Sequence, residues 1–291
     1  MKSLVRNAIP QPVRRKAKRM FYGRFKRTIP WEYMPQGWQV QEIDPDIKGW
    51  DVATVLEAYK AGWPNFVAHV QGSGPLGFWY ETHDRGSDDP IPHNIHMSYA
   101  YALAVASRMR AQISMLDWGG AIGQYYALSK QLYPDLQIDY HLKEVPAMLS
   151  HAKTLHPQAH VYEDDTCLER RYDFVLVSGS FHYTQDWRAL LQRLAAATGG
   201  YLYLTRLPVV ERVPSFVFVQ RPYHVGYETE YLGWCLNRSE VLAAAGTCGL
   251  TLVREFVMGE NPEIELAPEQ NAYRGFLFRG GASTIGDGES A

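Results

Sequence analysis

Apolar and polar positions along this chain change period repeatedly, and each change marks the border of an element. The run Ile113–Asp117 (ISMLD) leads into Trp118-Gly-Gly-Ala-Ile-Gly123. Gln124 to Tyr133 (QYYALSKQLY) then carries apolar side chains at Tyr126, Leu128 and Leu132. A short apolar run, a glycine cluster and a helical period predict strand, tight turn, helix. The alternation continues. Leu136–Leu142 (LQIDYHL) reads as a second strand and Pro146–Leu155 as a helix with proline in its first turn. Ala159–Glu163 reads as a third strand. Arg171–Ser178 (RYDFVLVS) is a fourth, apolar and β-branched as a central parallel strand should be. Helix Asp186–Ala197, strand Gly200–Arg206, helix Arg238–Gly246, strand Leu250–Met258 and strand Ala272–Phe278 complete the series. The expected class is α/β, a Rossmann-like sheet.

The flanking segments have other patterns. Residues 31–92 are aromatic and rich in Pro and Gly, with Trp31, Trp38, Trp50, Trp63 and Trp79. A helix is expected over Trp50–Lys60 and a turn then strand over 72–81, the whole packing as a cap on the main domain, residues 93–279. A helix over Asn94–Arg110 brings His93 and His96 toward the glycine turn. Leu207–Leu236 interrupts the alternation with Pro208, Phe216, Gln220, Arg221, Tyr223, His224 and Tyr227, and is expected to form a lid over an acceptor. Residues 12–28 have helical spacing with a dense basic face. That pattern suits either a peripheral helix on anionic lipid or a solvated leader. The Gly-, Ser- and acid-rich residues 280–291 are expected to be disordered.

Composition narrows the class. Hydrophobic residues make up 46% of 291, enough for a sizeable core. Ten of the 29 Lys and Arg residues lie in the acid-free residues 1–30. The remainder carries 19 basic against 31 acidic residues, a balance of −12. A mildly acidic body argues against a nucleic-acid-binding surface. Cys167, Cys235 and Cys248 have neither paired nor metal-ligand spacing, so they fit packing roles in a reducing, cytoplasmic setting, and no metal is expected.

Candidate chemistry centres on the glycine turn. A ligand lying against bare backbone at a helix start needs Gly119 and Gly123 free of a Cβ. Glu144 follows the second strand, 21 residues after Gly123, where a carboxylate can accept both ribose hydroxyls of an adenosine. Ser178 ends the fourth strand and borders the same place, and Asp139 is a competing acid within the second strand. From Asp117 the turn reads D-x-G-x-A-x-G (Asp117, Gly119, Ala121, Gly123). This resembles the first motif of the class I S-adenosylmethionine (SAM)-dependent methyltransferases, with Ala121 in place of the middle glycine. A carboxylate beside the turn suits the amino group and sulfonium of SAM better than a pyrophosphate. The resemblance implies a mostly parallel sheet whose last strand is antiparallel, with SAM as cofactor and an acid after strand three, Asp164 or Asp165, meeting the adenine amino group.

More narrowly, the strings WEYMPQGW, PHNIHMSYAYALA, LDWGGAIGQYY, YHLKEVP, YDFVLVSGSFHYTQDW, LTRLPVV, FVQRPY and EYLGWCLNR resemble a methyltransferase family associated with surface-polysaccharide biosynthesis. That implies O-methylation of a sugar or glycan-type small molecule. A hydroxyl acceptor benefits from a general base. His182, in the loop after strand four, is the first candidate, with His96 and His224 behind it and Tyr183 orienting the acceptor. Arg206, Arg212 and Arg221 are candidates to grip phosphate or carboxylate on the acceptor. The rival readings are a nicotinamide-dependent oxidoreductase and a non-catalytic protein that keeps the SAM pocket.

Overall fold

The computed structural model describes residues 26–42, 44–79 and 86–281. The expected leader over 12–28 and the tail over 280–291 fall almost wholly outside these residues. A three-residue strand, β1 (Trp31–Tyr33), comes first, followed by helices α1 (Ala53–Gln71) and α2 (Pro90–Ser107). The alternating part then runs β2 (Gln112–Trp118), α3 (Gln124–Leu132), β3 (Gln137–Lys143), α4 (Pro146–Leu155), β4 (His160–Tyr162), β5 (Tyr172–Ser178), α5 (Trp187–Ala197) and β6 (Thr198–Val210). After these come β7 (Phe216–Gln220), β8 (Tyr231–Asn237), α6 (Arg238–Thr247), β9 (Thr251–Val257) and β10 (Ala272–Arg279).

The main sheet has the order β4-β3-β2-β5-β6-β10-β9. Strands β2 to β6 pair in parallel, and β10 runs antiparallel to both β6 and β9. This is a Rossmann-like sheet, mostly parallel with the last strand reversed. Adjacent residues on a strand point to opposite faces, and the core divides accordingly. Met115, Phe174 and Tyr203 join a cluster with Val55, Phe66, Tyr99, Tyr126 and Met148 from α1 to α4. Their neighbours Leu116, Val175 and Leu204 join Leu191, Leu194 and Val241 from α5 and α6 on the other side. Coverage on both faces is why these strands read as continuous apolar runs.

Several boundaries differ from the sequence reading. Helix α1 starts at Ala53 and continues to Gln71 with Pro64 inside it. Gly62 and Pro64 look like breakers, yet Phe66 and Val70 keep the apolar stripe facing the core. Helix α2 begins at Pro90, four residues early, because the Asp89 carboxylate accepts the Ile91 N–H (2.9 Å) and proline occupies the first turn. Among the described residues of 72–81 there is no strand, only a bridge between Gly77 and Asp88.

The largest difference is the expected lid. Strand β6 extends to Val210, where its end pairs in parallel with β8; β7 pairs antiparallel with β8, and β1 closes the edge. Residues 207–236 thus mostly widen the sheet instead of forming a loop. A buried ion network fixes this addition. Arg221 donates to Glu230 (3.1 Å) and Glu32 (2.7 Å), and Lys26 pairs with Glu230 (2.9 Å) and Asp44 (2.6 Å). Such networks hold a register more than they add net stability. Among the described residues no helix is long and apolar enough to cross a membrane.

Candidate functional site

The order of strands reverses between β2 and β5, since β3 and β4 lie to one side and β6 to the other. In open α/β sheets the crevice beyond the strand ends at that reversal binds ligands. A cavity of about 410 Å³ occupies this place. Its floor is the turn after β2 (Trp118 to Ala121), the tip of β3 (Lys143 to Val145) and the loop after β5 (Ser178 to Thr184). Trp50, Tyr59 and Phe66 enclose one side, and Gln220, Tyr231 and Tyr273 another. The volume lies within the usual range for small-molecule sites, about 300–1,000 Å³.

Backbone geometry builds the floor. Gly119 has φ +74, and a Cβ there meets the Ser180 side chain, with Oγ at 2.5 Å. Ala121 also adopts a left-handed φ of +50, the conformation its replaced glycine would take freely. The Ala121 N–H donates to Glu144 Oε2 (2.8 Å), and the Val145 N–H donates to Glu144 Oε1 (2.7 Å). Glu144 therefore ties the glycine turn to the tip of β3. Each carboxylate oxygen retains a lone pair for a further donor. Burial pushes its pKa above the ordinary carboxylate value, against the pull of the two backbone N–H groups.

Asp117, Gly123, Asp164 and Asp165 do not line the cavity. Asp117 is wholly buried beneath the turn, where its carboxylate accepts from the Tyr140 hydroxyl (2.8 Å) and packs under Gly120. It supports the turn from below, in contrast to the direct electrostatic role read from the sequence. Gly123 (φ +88) starts α3, and a Cβ there meets the His156 ring at 2.6 Å, so this glycine serves packing. Asp164 caps the following 3-10 turn by accepting from Thr166 N–H (3.1 Å) and Oγ1 (2.6 Å). Asp165 pairs with Arg193 (2.5 Å) at the surface.

Ser178, His182, His96, His224 and Tyr183 do line the cavity. Ser178 Oγ is 2.8 Å from the Tyr125 hydroxyl. His182 is 1% exposed, and neither ring nitrogen has a hydrogen-bond partner among the described residues. Burial, helped by the Arg206 charge, pushes its pKa down to about 3. His96 is buried too, with Nδ1 donating to the Leu76 carbonyl (2.7 Å), and burial takes its pKa down to about 4. His224 is an exposed residue at the rim. Tyr183 donates to Gln220 Oε1 (2.7 Å). Of the three arginines, only Arg206 lines the cavity, and it faces Glu260 (3.4 Å). Arg212 pairs with Glu269 at the surface, and Arg221 belongs to the buried network.

Sequence reasoning did not single out Trp118, Gln124, Tyr231, Glu260 or Tyr273, which also line the cavity. Trp118 and Gln124 flank the glycine turn and were there to be read; Tyr273 lies on a strand whose pattern shows only a buried position. Trp50 Nε1, Trp118 Nε1 and Gln124 Nε2 are buried without partners among the described residues. An unsatisfied buried polar atom costs about 1–3 kcal/mol, so a ligand offering acceptors here removes a penalty.

The buried carboxyl of Asp117 has a testable consequence. Burial pushes its pKa from 3.8 up to about 7, so the folded state holds its proton where the unfolded chain has lost it. Stability from that proton is complete below pH 3.8 and is lost as the pH rises through about 7. Asp117→Asn keeps an acceptor for Tyr140 and has no charge to bury. In urea unfolding of the ligand-free protein, the variant should gain on the parent steadily across that window. A pH-independent difference would contradict the buried carboxyl.

No family model matches the chain, and no curated protein matches it. Several solved structures resemble it in part. A SAM-dependent methyltransferase from Clostridium acetobutylicum is 10% identical, with 64% of this chain and 92% of that one covered at a TM-score of 0.43. The CcbJ methyltransferase from Streptomyces caelestis is 14% identical, covering 65% and 90% at 0.43. A Burkholderia thailandensis 1,6-didemethyltoxoflavin-N1-methyltransferase, solved with 1,6-didemethyltoxoflavin and S-adenosylhomocysteine, is 15% identical, covering 78% and 90% at 0.43.

Proposed function

We propose that this protein is a SAM-dependent methyltransferase acting on a hydroxyl of a sugar or glycan-type small molecule. The observation that carries the reading is Glu144. Its carboxylate stands at the tip of β3, at the wall of a cavity floored by the glycine turn, in the place suited to a ribose. The residues present fit SAM: Gly119 keeps the backbone bare, Glu144 has lone pairs for the ribose hydroxyls, and Trp118 and Gln124 offer buried donors. When bound, SAM supplies a methyl group already activated by its sulfonium.

The chain's own task is then to hold an acceptor in line and dispose of its proton. Trp50, Tyr183 and Tyr231 form an aromatic wall, with Trp50 stacked on Tyr231 at 4.3 Å and edge-on to Tyr183 at 5.2 Å. Such a wall suits the apolar face of a sugar ring, while Gln220 and His182 supply polar contacts. His182 is neutral at physiological pH. A base this weak does not ionise a hydroxyl in advance. It accepts the proton as the new C–O bond forms, when the oxygen has become strongly acidic. The resemblance to the polysaccharide-associated family ranks sugar hydroxyls first among acceptors, and a cytoplasmic setting accords with that role. Turnover of methyl-labelled SAM against a panel of nucleotide sugars and oligosaccharides tests the reading, with label expected in an ether. Label carried only to amines, or no transfer to any sugar, would remove the acceptor assignment.

Glu144→Ala tests the cofactor side. Losing a charged hydrogen bond costs about 1.5–3 kcal/mol, so SAM affinity by calorimetry should fall at least about tenfold. The freed Ala121 and Val145 N–H groups should lower the melting temperature as well. Undiminished affinity in the folded variant would move the ribose elsewhere.

A further inference from the structure

Outside the cavity, one cluster of metal-ligating side chains stands out at the edge of the sheet. Asp139 and His141 are two residues apart on β3 and share a face. His160 on β4 is the register partner of His141. The ligand atoms of the three converge within 4.8 Å of one another. His141 Nε2 lies 3.1 Å from Asp139 Oδ2, and His160 Nε2 lies 3.3 Å from Asp139 Oδ1. The two imidazoles are stacked, with centroids 4.4 Å apart and planes at 14°; because parallel rings cannot aim both lone pairs at one ion, binding requires the His160 ring, 57% exposed, to turn out of the stack.

We propose that Asp139, His141 and His160 form a binding site for a divalent transition-metal ion, zinc being the best match. In a tetrahedral zinc site with bonds of about 2.0–2.1 Å, neighbouring ligand atoms stand about 3.3 Å apart. The two separations, 3.1 and 3.3 Å, are close to that value but run to different oxygens of Asp139, so an ion would meet one histidine beside each carboxylate oxygen. Two imidazoles and one carboxylate are a borderline donor set suited to zinc. The side chains of Asp139 and His160 are 33% and 57% exposed, so water can reach the remaining coordination position, whereas the His141 side chain is 1% exposed and fixed.

A second layer also fits. His141 Nδ1 lies 2.9 Å from the Tyr162 hydroxyl. That hydroxyl can accept a hydrogen bond from a protonated Nδ1, which leaves the Nε2 lone pair free for a metal. Metal-bound histidines almost always have such a partner on the other nitrogen. Arg170, 3.4 Å from Asp139 Oδ2, is the competing cation that an incoming ion displaces. The site would bridge β3 to the three-residue edge strand β4 and so pin the end of the sheet. The spacing 139, 141 and 160 resembles no short metal motif, because strand register creates the site.

The test uses the full chain dialysed against a chelator and titrated with zinc chloride against a chromophoric competitor. The parent is expected to bind one zinc ion per chain and to gain melting temperature on binding. His160→Ala and Asp139→Asn should each weaken zinc at least tenfold and abolish the thermal gain. Tyr162→Phe should weaken it about 10–100-fold. His151→Ala, on α4 away from the cluster, should bind as the parent does. No stoichiometric binding by the parent, or affinity unchanged in both His160→Ala and Asp139→Asn, would overturn the proposal and leave the cluster an ion-pair network with Arg170.

Discussion

Gly119→Val is expected to abolish SAM binding in a chain that still folds. Two effects act together. Valine at a φ of +74 is in the left-handed region, which costs an L-residue roughly 1–2 kcal/mol and a β-branched one more. Its side chain also occupies the space of Ser180, whose hydroxyl donates to the Trp118 carbonyl (2.9 Å) and holds the loop after β5 against the turn after β2. The substitution therefore displaces two of the three segments that floor the cavity. Each 1.4 kcal/mol is about a tenfold loss of affinity, so a decline of more than about 100-fold is expected by calorimetry. Circular dichroism with a cooperative melt establishes that the variant is folded. Parent-like affinity would place the cofactor away from this turn.

His182→Ala is expected to lower kcat by about 10²–10⁴-fold, the usual contribution of a positioned base, with SAM affinity nearly unchanged. The direction of the pH dependence follows from burial. The sequence alone suggests a rate that falls below the ordinary histidine pKa. With its pKa near 3, His182 stays unprotonated well below 6.5, and the rate of the parent should persist into the acid range. Stability sets the practical limit. His182 and His96 (about 4) hold fewer protons folded than unfolded below 6.5, so stability present above that value drains away as the pH falls toward their folded pKa values. A rate profile with an acid limb near 6.5 would mean that the base is a group other than His182. Normal turnover by His182→Ala would make this imidazole a wall of the pocket.

The parts legible in the sequence are those set by local backbone pattern. The alternation of apolar runs and helical periods yields every strand from β2 to β6 and both late strands, within a few residues. The glycine turn and Glu144 follow from the same reading, because a strand tip and the turn beside it are fixed by counting along the chain. What counting does not provide is which side of the turn a residue occupies. Asp117 and Gly119 are two apart in the motif, yet one lies beneath the turn and the other at the cavity floor. The resemblance offered Asp164 or Asp165 to the adenine amino group without separating them; in the structure Asp164, a short polar side chain before a helical turn, accepts from the nearby Thr166 N–H. Strand register brought Tyr273 to the cavity and His160 to Asp139, and the single sequence does not specify it. The sequence reading ends β6 at Arg206, whereas the strand runs on through Pro208, which sits where β6 passes from β5 to β8 as its parallel neighbour.

The measurement that bears most directly on the central assignment is isothermal titration calorimetry of the full chain with SAM, S-adenosylhomocysteine and NAD, repeated on Glu144→Ala. One SAM per chain, competition by S-adenosylhomocysteine, no heat from NAD and a loss of at least about tenfold in the variant are the expected results. Binding of NAD without binding of SAM, or SAM binding that Glu144→Ala leaves intact, would contradict the assignment.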